Sequence, residues 1–121
     1  MKRAHVNPAC TADIARLSEK YPTLDIDIEA ARKLIGDDEG SINRIPCDGI
    51  EVDDAVRVYR VYISISAAAF TPREGRWRCT LVWMDDGEDC ELMLVYDNDI
   101  DSYDGAIRAL IEARCRVPGP S

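Results

Sequence analysis

Val56-Arg57-Val58-Tyr59-Arg60-Val61-Tyr62-Ile63-Ser64-Ile65-Ser66-Ala67 is the stretch that decides the fold. Successive side chains of a β-strand point to opposite faces, so Arg60, Tyr62, Ser64 and Ser66 share one side while Val61, Ile63, Ile65 and Ala67 share the other. The pattern predicts a half-buried strand. A second run of the same period follows, in which Trp77, Cys79, Leu81 and Trp83 alternate with Arg76, Arg78 and Thr80. This register turns both tryptophans into the core and sends the arginines to the solvent side. Asp85-Asp86-Gly87-Glu88-Asp89 reads as a hairpin turn, because Asp86-Gly87 has the favoured turn chemistry, and residues 91–96 form a third strand.

Before these strands the period is helical. Asn7-Pro8 is a helix start, a capping side chain followed by proline, and Ile14, Leu17 and Tyr21 recur on one side until Pro22 ends the run. Asp25 or Asp27 can cap a second helix with Ile28, Ala31, Leu34 and Ile35 as its apolar stripe and Gly36 as its stop. After the strands, Asp101 or Ser102 caps a last helix whose apolar face is Ala106, Ile107, Leu110 and Ile111. The expected architecture is α+β, in one domain over residues 1–121: a helical hairpin (8–36), a polar loop (37–55), a curved antiparallel sheet of at least three strands (56–97), a C-terminal helix (101–115) and a loose tail (116–121). Helices are expected on one face of that sheet.

A chain of 121 residues with 46% hydrophobic and 31% charged residues suits a single soluble core and is neither disordered nor collagenous in composition. The longest apolar stretch, residues 61–70, is broken by serines and is half the length of a spanning helix. Met1-Lys2-Arg3-Ala4-His5 is basic but runs into Asn7-Pro8 and a polar helix, unlike a secretory signal. A cytoplasmic location is therefore expected, with no membrane partner.

The net charge is −8, which excludes a general nucleic-acid binder. Its distribution is uneven. Residues 1–55 carry a net −5 and residues 81–121 a net −7, whereas residues 56–80 carry +4, from Arg57, Arg60, Arg73, Arg76 and Arg78 against Glu74. Any anion site belongs to this block, where a local positive potential survives within a Debye length of about 8 Å. Five widely spaced cysteines, Cys10, Cys47, Cys79, Cys90 and Cys115, with His5 the single histidine and near a frayed terminus, form neither a disulfide framework nor a metal site. They read as small thiols in a reducing compartment, and no cofactor is expected.

Four segments in order give the chain a relative. Leu17-Ser18-Glu19-Lys20-Tyr21-Pro22-Thr23-Leu24, Val58-Tyr59-Arg60-Val61-Tyr62-Ile63, Arg73-Glu74-Gly75-Arg76-Trp77-Arg78 and Leu94-Val95-Tyr96 resemble, in sequence and spacing, the RelE/ParE toxin superfamily, in particular its HigB-like and phage RelE-like branch. The likeness runs over residues 9–114. It implies a RelE-like fold and a toxin of a type II toxin–antitoxin pair, a metal-independent endonuclease that cuts messenger RNA in the ribosome and is neutralised by a cognate antitoxin. The implied chemistry is transesterification, in which the 2′-oxygen attacks the adjacent phosphate while fixed cations stabilise the added charge.

Carried over by position, Arg60, Arg73 and Arg78 match basic residues of the family's site and take the catalytic roles. Tyr62, Arg76 and Tyr96 are the matching RNA-binding candidates. Tyr62 stands where a second basic residue is usual, Arg76 where a second glycine is, and Asn98 where a terminal lysine is. Alternation alone also permits a cross-strand cluster of Arg60, Arg76 and Arg78. The general base falls among Tyr62, Tyr96, Asp97 and Glu74, with Asp97 and Asp99 expected beside the phosphate position, where they oppose it by like charge. Two other readings follow from the same residues. One is a non-catalytic relative whose acidic surface binds a basic protein, such as an antitoxin arm, a nucleic-acid-handling complex or a host defence protein bound by a phage inhibitor; the other is the gyrase-poisoning branch of the same superfamily.

Overall fold

The computed structural model describes residues 3–37, 43–47, 50, 55–66, 78–103 and 105–116. The order is β1 (Arg3–Val6), α1 (Pro8–Leu17), α2 (Leu24–Asp37), β2 (Ile45–Pro46), β3 (Arg57–Ile63), β4 (Cys79–Asp85), β5 (Asp89–Asp97) and α3 (Ala106–Arg116). The fold is α+β with one five-stranded sheet in the order β1-β5-β4-β3-β2. Among the described residues no helix is long and apolar enough to cross a membrane.

Local chemistry accounts for most boundaries. The Asn7 side chain accepts from the Ala9 amide at 2.8 Å, and Pro8 sits at the first helical position, as expected of that pair. α1 ends at Leu17, well before Pro22, because the Ser18 amide and hydroxyl both return to the Ile14 carbonyl, at 2.9 and 2.6 Å. Asp25 and Asp27 do not cap α2; they lie inside its first turn, where carboxylates meet the positive end of the helix dipole. The helix runs one residue beyond Gly36. In the β4–β5 hairpin Gly87 has φ +94°, and Asp86 accepts from the amides of Glu88 and Asp89 at 2.9 and 2.7 Å.

The sheet departs from the sequence reading in three ways. It is mixed, because β1 runs parallel to β5, pairing Arg3 with Asp89 and His5 with Glu91. His5 therefore belongs to a paired strand, not to a frayed end. Ile45 and Pro46, in the stretch read as loop, pair with Arg60 and Tyr59. Four- and two-residue strands lack the length over which a period of two can declare itself. β4 is described from Cys79 onward, and Arg73, Glu74, Arg76 and Trp77 lie outside the described residues.

Helices cover both faces of the sheet, where one was expected. Cys10 and Leu17 of α1 and Leu24, Ile28, Ala31 and Ile35 of α2 pack with Ile63, Cys79, Leu81, Trp83, Cys90, Leu92 and Val95. Ile107 and Ile111 of α3 pack on the other side with Val58, Val82, Met93, Leu94 and Tyr96. Trp83 is fully buried against Tyr59 (5.7 Å between ring centres), and the cost of its unpartnered indole N–H is outweighed by the burial of the ring. The last helix starts at Ala106, just after Gly105 at φ +57°, so neither Asp101 nor Ser102 caps it. Leu34 and Leu110, read as core, are exposed.

Two core layers can share one strand because β5 changes phase. Val82 pairs with Leu94 and Trp83 with Leu92, so Met93 is an extra residue, a β-bulge. Before it Cys90 and Leu92 face α1 and α2; after it Val95 and Asp97 do, while Met93, Leu94 and Tyr96 face α3. β1 ends alongside the bulge, its last bond running from the Asn7 amide to the Leu92 carbonyl at 2.9 Å. Beyond that point side chains take over the strand's edge. Arg114 of α3 donates to the Met93 carbonyl at 2.7 Å, and Asp13 of α1 accepts from the Val95 amide at 3.3 Å. The two side chains pair with each other at 2.7 and 3.3 Å.

Breaking a buried pair strands the surviving charge, so Asp13→Ala and Arg114→Met should each lower stability by about 3 kcal/mol. Asp13→Ala combined with Arg114→Met should cost clearly less than the two single changes added together. Urea midpoints of the single and double variants measure this coupling; strict additivity would mean that the pair does not join the two layers.

Candidate functional site

β3, β4 and β5 place one row of side chains across the α3 side of the sheet. Tyr62 pairs with Thr80 and Thr80 with Tyr96, and the neighbouring row is Arg60, Val82 and Leu94. The Thr80 hydroxyl donates to Asn98 Oδ1 at 2.6 Å, and the Asn98 amide donates to the Arg78 carbonyl at 2.9 Å, which holds the 98–100 turn against the strand ends. Tyr62, Tyr96, Asn98, Asp101, Ser102 and Tyr103 line a pocket of about 440 Å³. That volume is within the range of small-molecule sites.

Arg60 borders this pocket through Tyr103. Its guanidinium carbon lies 3.9 Å from the centre of the Tyr103 ring. Nε and Nη1 are buried and have no hydrogen-bond partner. Alternation predicted Arg60 on a solvated face; the segment leading into α3 covers it instead. Burying an unpaired guanidinium is costly, and an arginine in this state is a group whose natural partner is an anion.

The other predicted cation has a partner. Arg78 Nη1 is 2.7 Å from Asp99 Oδ2. Register sets Arg78 four residues from the position opposite Arg60, about 13 Å along the strand. The two arginines therefore do not form one cluster. Tyr62 and Tyr96 do share a pocket, and Arg73 and Arg76 lie outside the described residues.

Asp97, expected beside the phosphate, is on the other side of the sheet. The Met93 bulge turns it toward the helical hairpin, where it accepts from Lys20 Nζ at 2.8 Å, from the Tyr21 hydroxyl at 3.1 Å and from the Asp99 amide at 2.9 Å. Burial pushes its carboxyl up, but the Lys20 ammonium, the Asp99 amide and the Tyr21 hydroxyl together hold it below the usual aspartate range. Committed in this way, Asp97 is removed from the list of bases. Asp101, which the sequence reading did not single out as a base, is the carboxylate that lines the pocket among the described residues.

Burial raises the Tyr96 phenol, and the Tyr103 phenol is pushed up to about 12 by burial and by its contact with Cys47, against the pull of Arg60 and Arg108. Both stay protonated at neutral pH and present hydroxyl donors. Tyr103 was missed in the sequence because its link to Arg60 spans 43 positions and belongs to no periodic pattern. The cysteines are free thiols; burial pushes Cys10 and Cys79 up to about 12 and Cys115 to about 11, which leaves them unreactive. Among the described residues no three His, Cys, Asp or Glu side chains converge on a metal position.

No protein-family model matches the chain, and neither a curated protein nor a solved structure matches it.

The lowered Asp97 pKa has a defined consequence. Stability from a carboxylate held below its unfolded value is fully present above that value, about 3.9, and is lost as pH falls through the folded value. Asp97→Asn should therefore reduce stability at pH 7 and flatten the loss of stability below about pH 4. Urea unfolding of both proteins between pH 2 and 7 tests this; parallel acid limbs would assign the acid loss to other carboxylates.

Proposed function

We propose that the chain is a RelE-like ribonuclease toxin of a toxin–antitoxin pair, cleaving messenger RNA through the Arg60 face and neutralised by a cognate antitoxin. The observation that carries this reading is the buried, unpartnered Arg60 guanidinium beside a pocket of three tyrosines. The order of elements lends support, since a helical hairpin, three antiparallel strands and a closing helix follow one another as the resemblance implies.

The chemistry assigns each group a task. A base takes the 2′-hydroxyl proton, the 2′-oxygen bonds to phosphorus, the bond to the 5′-oxygen breaks, and that oxygen receives a proton, leaving a cyclic phosphate. Arg60 stabilises the charge that accumulates on the phosphate oxygens. In this reading Asp101, which lines the pocket, acts as base, and Tyr96, whose phenol burial raises, or Tyr62 donates a hydrogen bond or the final proton. Arg78 contributes to phosphate binding only when released from Asp99.

That last pairing favours a second reading, a non-catalytic relative that binds a basic protein through its acidic surface. Lys20 and Arg78 are both held by carboxylates in a chain of net charge −8. Such a complex would weaken steeply with salt.

Induced expression in a bacterial host, with growth and total RNA followed together, separates the two readings. The ribonuclease arrests growth and degrades RNA, and Arg60→Ala lowers its cleavage rate by about a hundredfold, the scale of one lost transition-state donor. Arg60→Ala/Arg78→Ala should restore growth. Normal growth and intact RNA on wild-type expression would reject the ribonuclease and leave the binding protein.

A further inference from the structure

We infer that the pocket beside Arg60 takes a single nucleotide, with the phosphate on the Arg60 guanidinium and the base among Tyr62, Tyr96 and Tyr103. The inference rests on the reading of this face as an RNA site and goes further, since it assigns affinity to one nucleoside monophosphate without the rest of an RNA chain.

Three observations converge on that ligand. Arg60 holds Nε and Nη1 buried and without partners, on two different edges of the guanidinium, and each can give one charge-assisted hydrogen bond to a phosphate oxygen. Tyr103 lies across the guanidinium at 3.9 Å, so the ring both compensates the charge and covers it. The pocket offers the Tyr62 and Tyr103 rings for stacking beside Tyr96, which is 4% exposed, with Asp101 as an acceptor for a ribose hydroxyl. A volume of about 440 Å³ fits a base and a sugar and exceeds what a bare phosphate needs.

Charge points the same way. The chain is acidic overall, yet the charges of Arg60 and of Arg108 in α3 both act on the Tyr103 phenol. Two buried N–H nitrogens without an acceptor cost stability, and a bound anion would relieve that cost.

The test measures binding of 5′-AMP, 5′-CMP, adenosine and inorganic phosphate to the full chain by titration calorimetry, and by chemical-shift changes of the tyrosine rings. Nucleotides should bind more tightly than phosphate, and phosphate more tightly than adenosine. Arg60→Met should weaken nucleotide binding about tenfold or more, the value of one charge-assisted hydrogen bond, while leaving thermal stability equal or higher. Tyr103→Ala, which removes the cover and one stacking ring, should shorten residence time and weaken nucleotides more than phosphate. Equal binding of adenosine and 5′-AMP would overturn the assignment of Arg60, equal binding of phosphate and 5′-AMP would overturn the role of the tyrosines, and an Arg60→Met protein that binds as wild type or fails to fold would make Arg60 structural. Nucleotide binding without RNA loss in cells would reject the ribonuclease and keep this pocket; RNA loss without nucleotide binding would do the reverse.

Discussion

The extra residue at Met93 is the constraint on which the remaining structure depends. A strand of strict period two would put Leu94 and Tyr96 with Cys90 and Leu92 against the helical hairpin, and Asp97 against α3. With the bulge, one strand serves two apolar layers: Cys90, Leu92 and Val95 close the core under α1 and α2, and Met93, Leu94 and Tyr96 close the one under α3. The bulge also disturbs the ladder at the point where β1 stops. Arg114 and Asp13 reach the Met93 carbonyl and the Val95 amide there, so one ion pair joins helices that lie on opposite faces. The irregularity is a joint between layers.

From the same shift come two electrostatic environments of opposite kind. On the hairpin side Asp97 is buried but fully served, by an ammonium, a phenol and an amide. That network ties the turn between α1 and α2 to the end of β5 and does structural work. On the α3 side Arg60 is half-buried against the Tyr103 ring, with two buried nitrogens unserved. A folded chain has ample carboxylates here to neutralise a stray arginine, and it does so at Arg78 with Asp99 and at Arg114 with Asp13. That it leaves Arg60 without one sets this residue apart on physical grounds, independent of any family likeness.

Much of the fold was legible in the sequence because its longer elements are strongly periodic. The Asn7-Pro8 start, the strand through Tyr59 and Val61, the core position of Trp83 and the Asp86-Gly87 turn all follow from local rules that tertiary structure had no reason to override. What escaped notice was short or non-local. β1 and β2 owe their existence to a neighbouring edge, and the first turns of α3 are held by packing of Ile107 and Ile111. The site divides in the same way. Arg60, Tyr62 and Tyr96 could be named from sequence because they sit on strands of known direction or in matched motifs. Tyr103 and Asp101 come from a connecting segment whose path no period describes, and the commitment of Asp97 to Lys20 depends on a one-residue shift that leaves no mark in composition.

The bulge also sorts the acidic residues at and beyond the end of β5. Asp97, Asp99 and Asp101 are consecutive odd positions, and on a regular strand they would share a face and oppose a phosphate together. Here the phase shift turns Asp97 to the opposite side, and the 98–100 turn sets Asp99 against Arg78, which leaves Asp101 as the carboxylate at the pocket. One carboxylate at the pocket opposes an anion less than three would. An acidic chain can thus hold a local cationic site without changing its overall composition, by directing its carboxylates toward other partners.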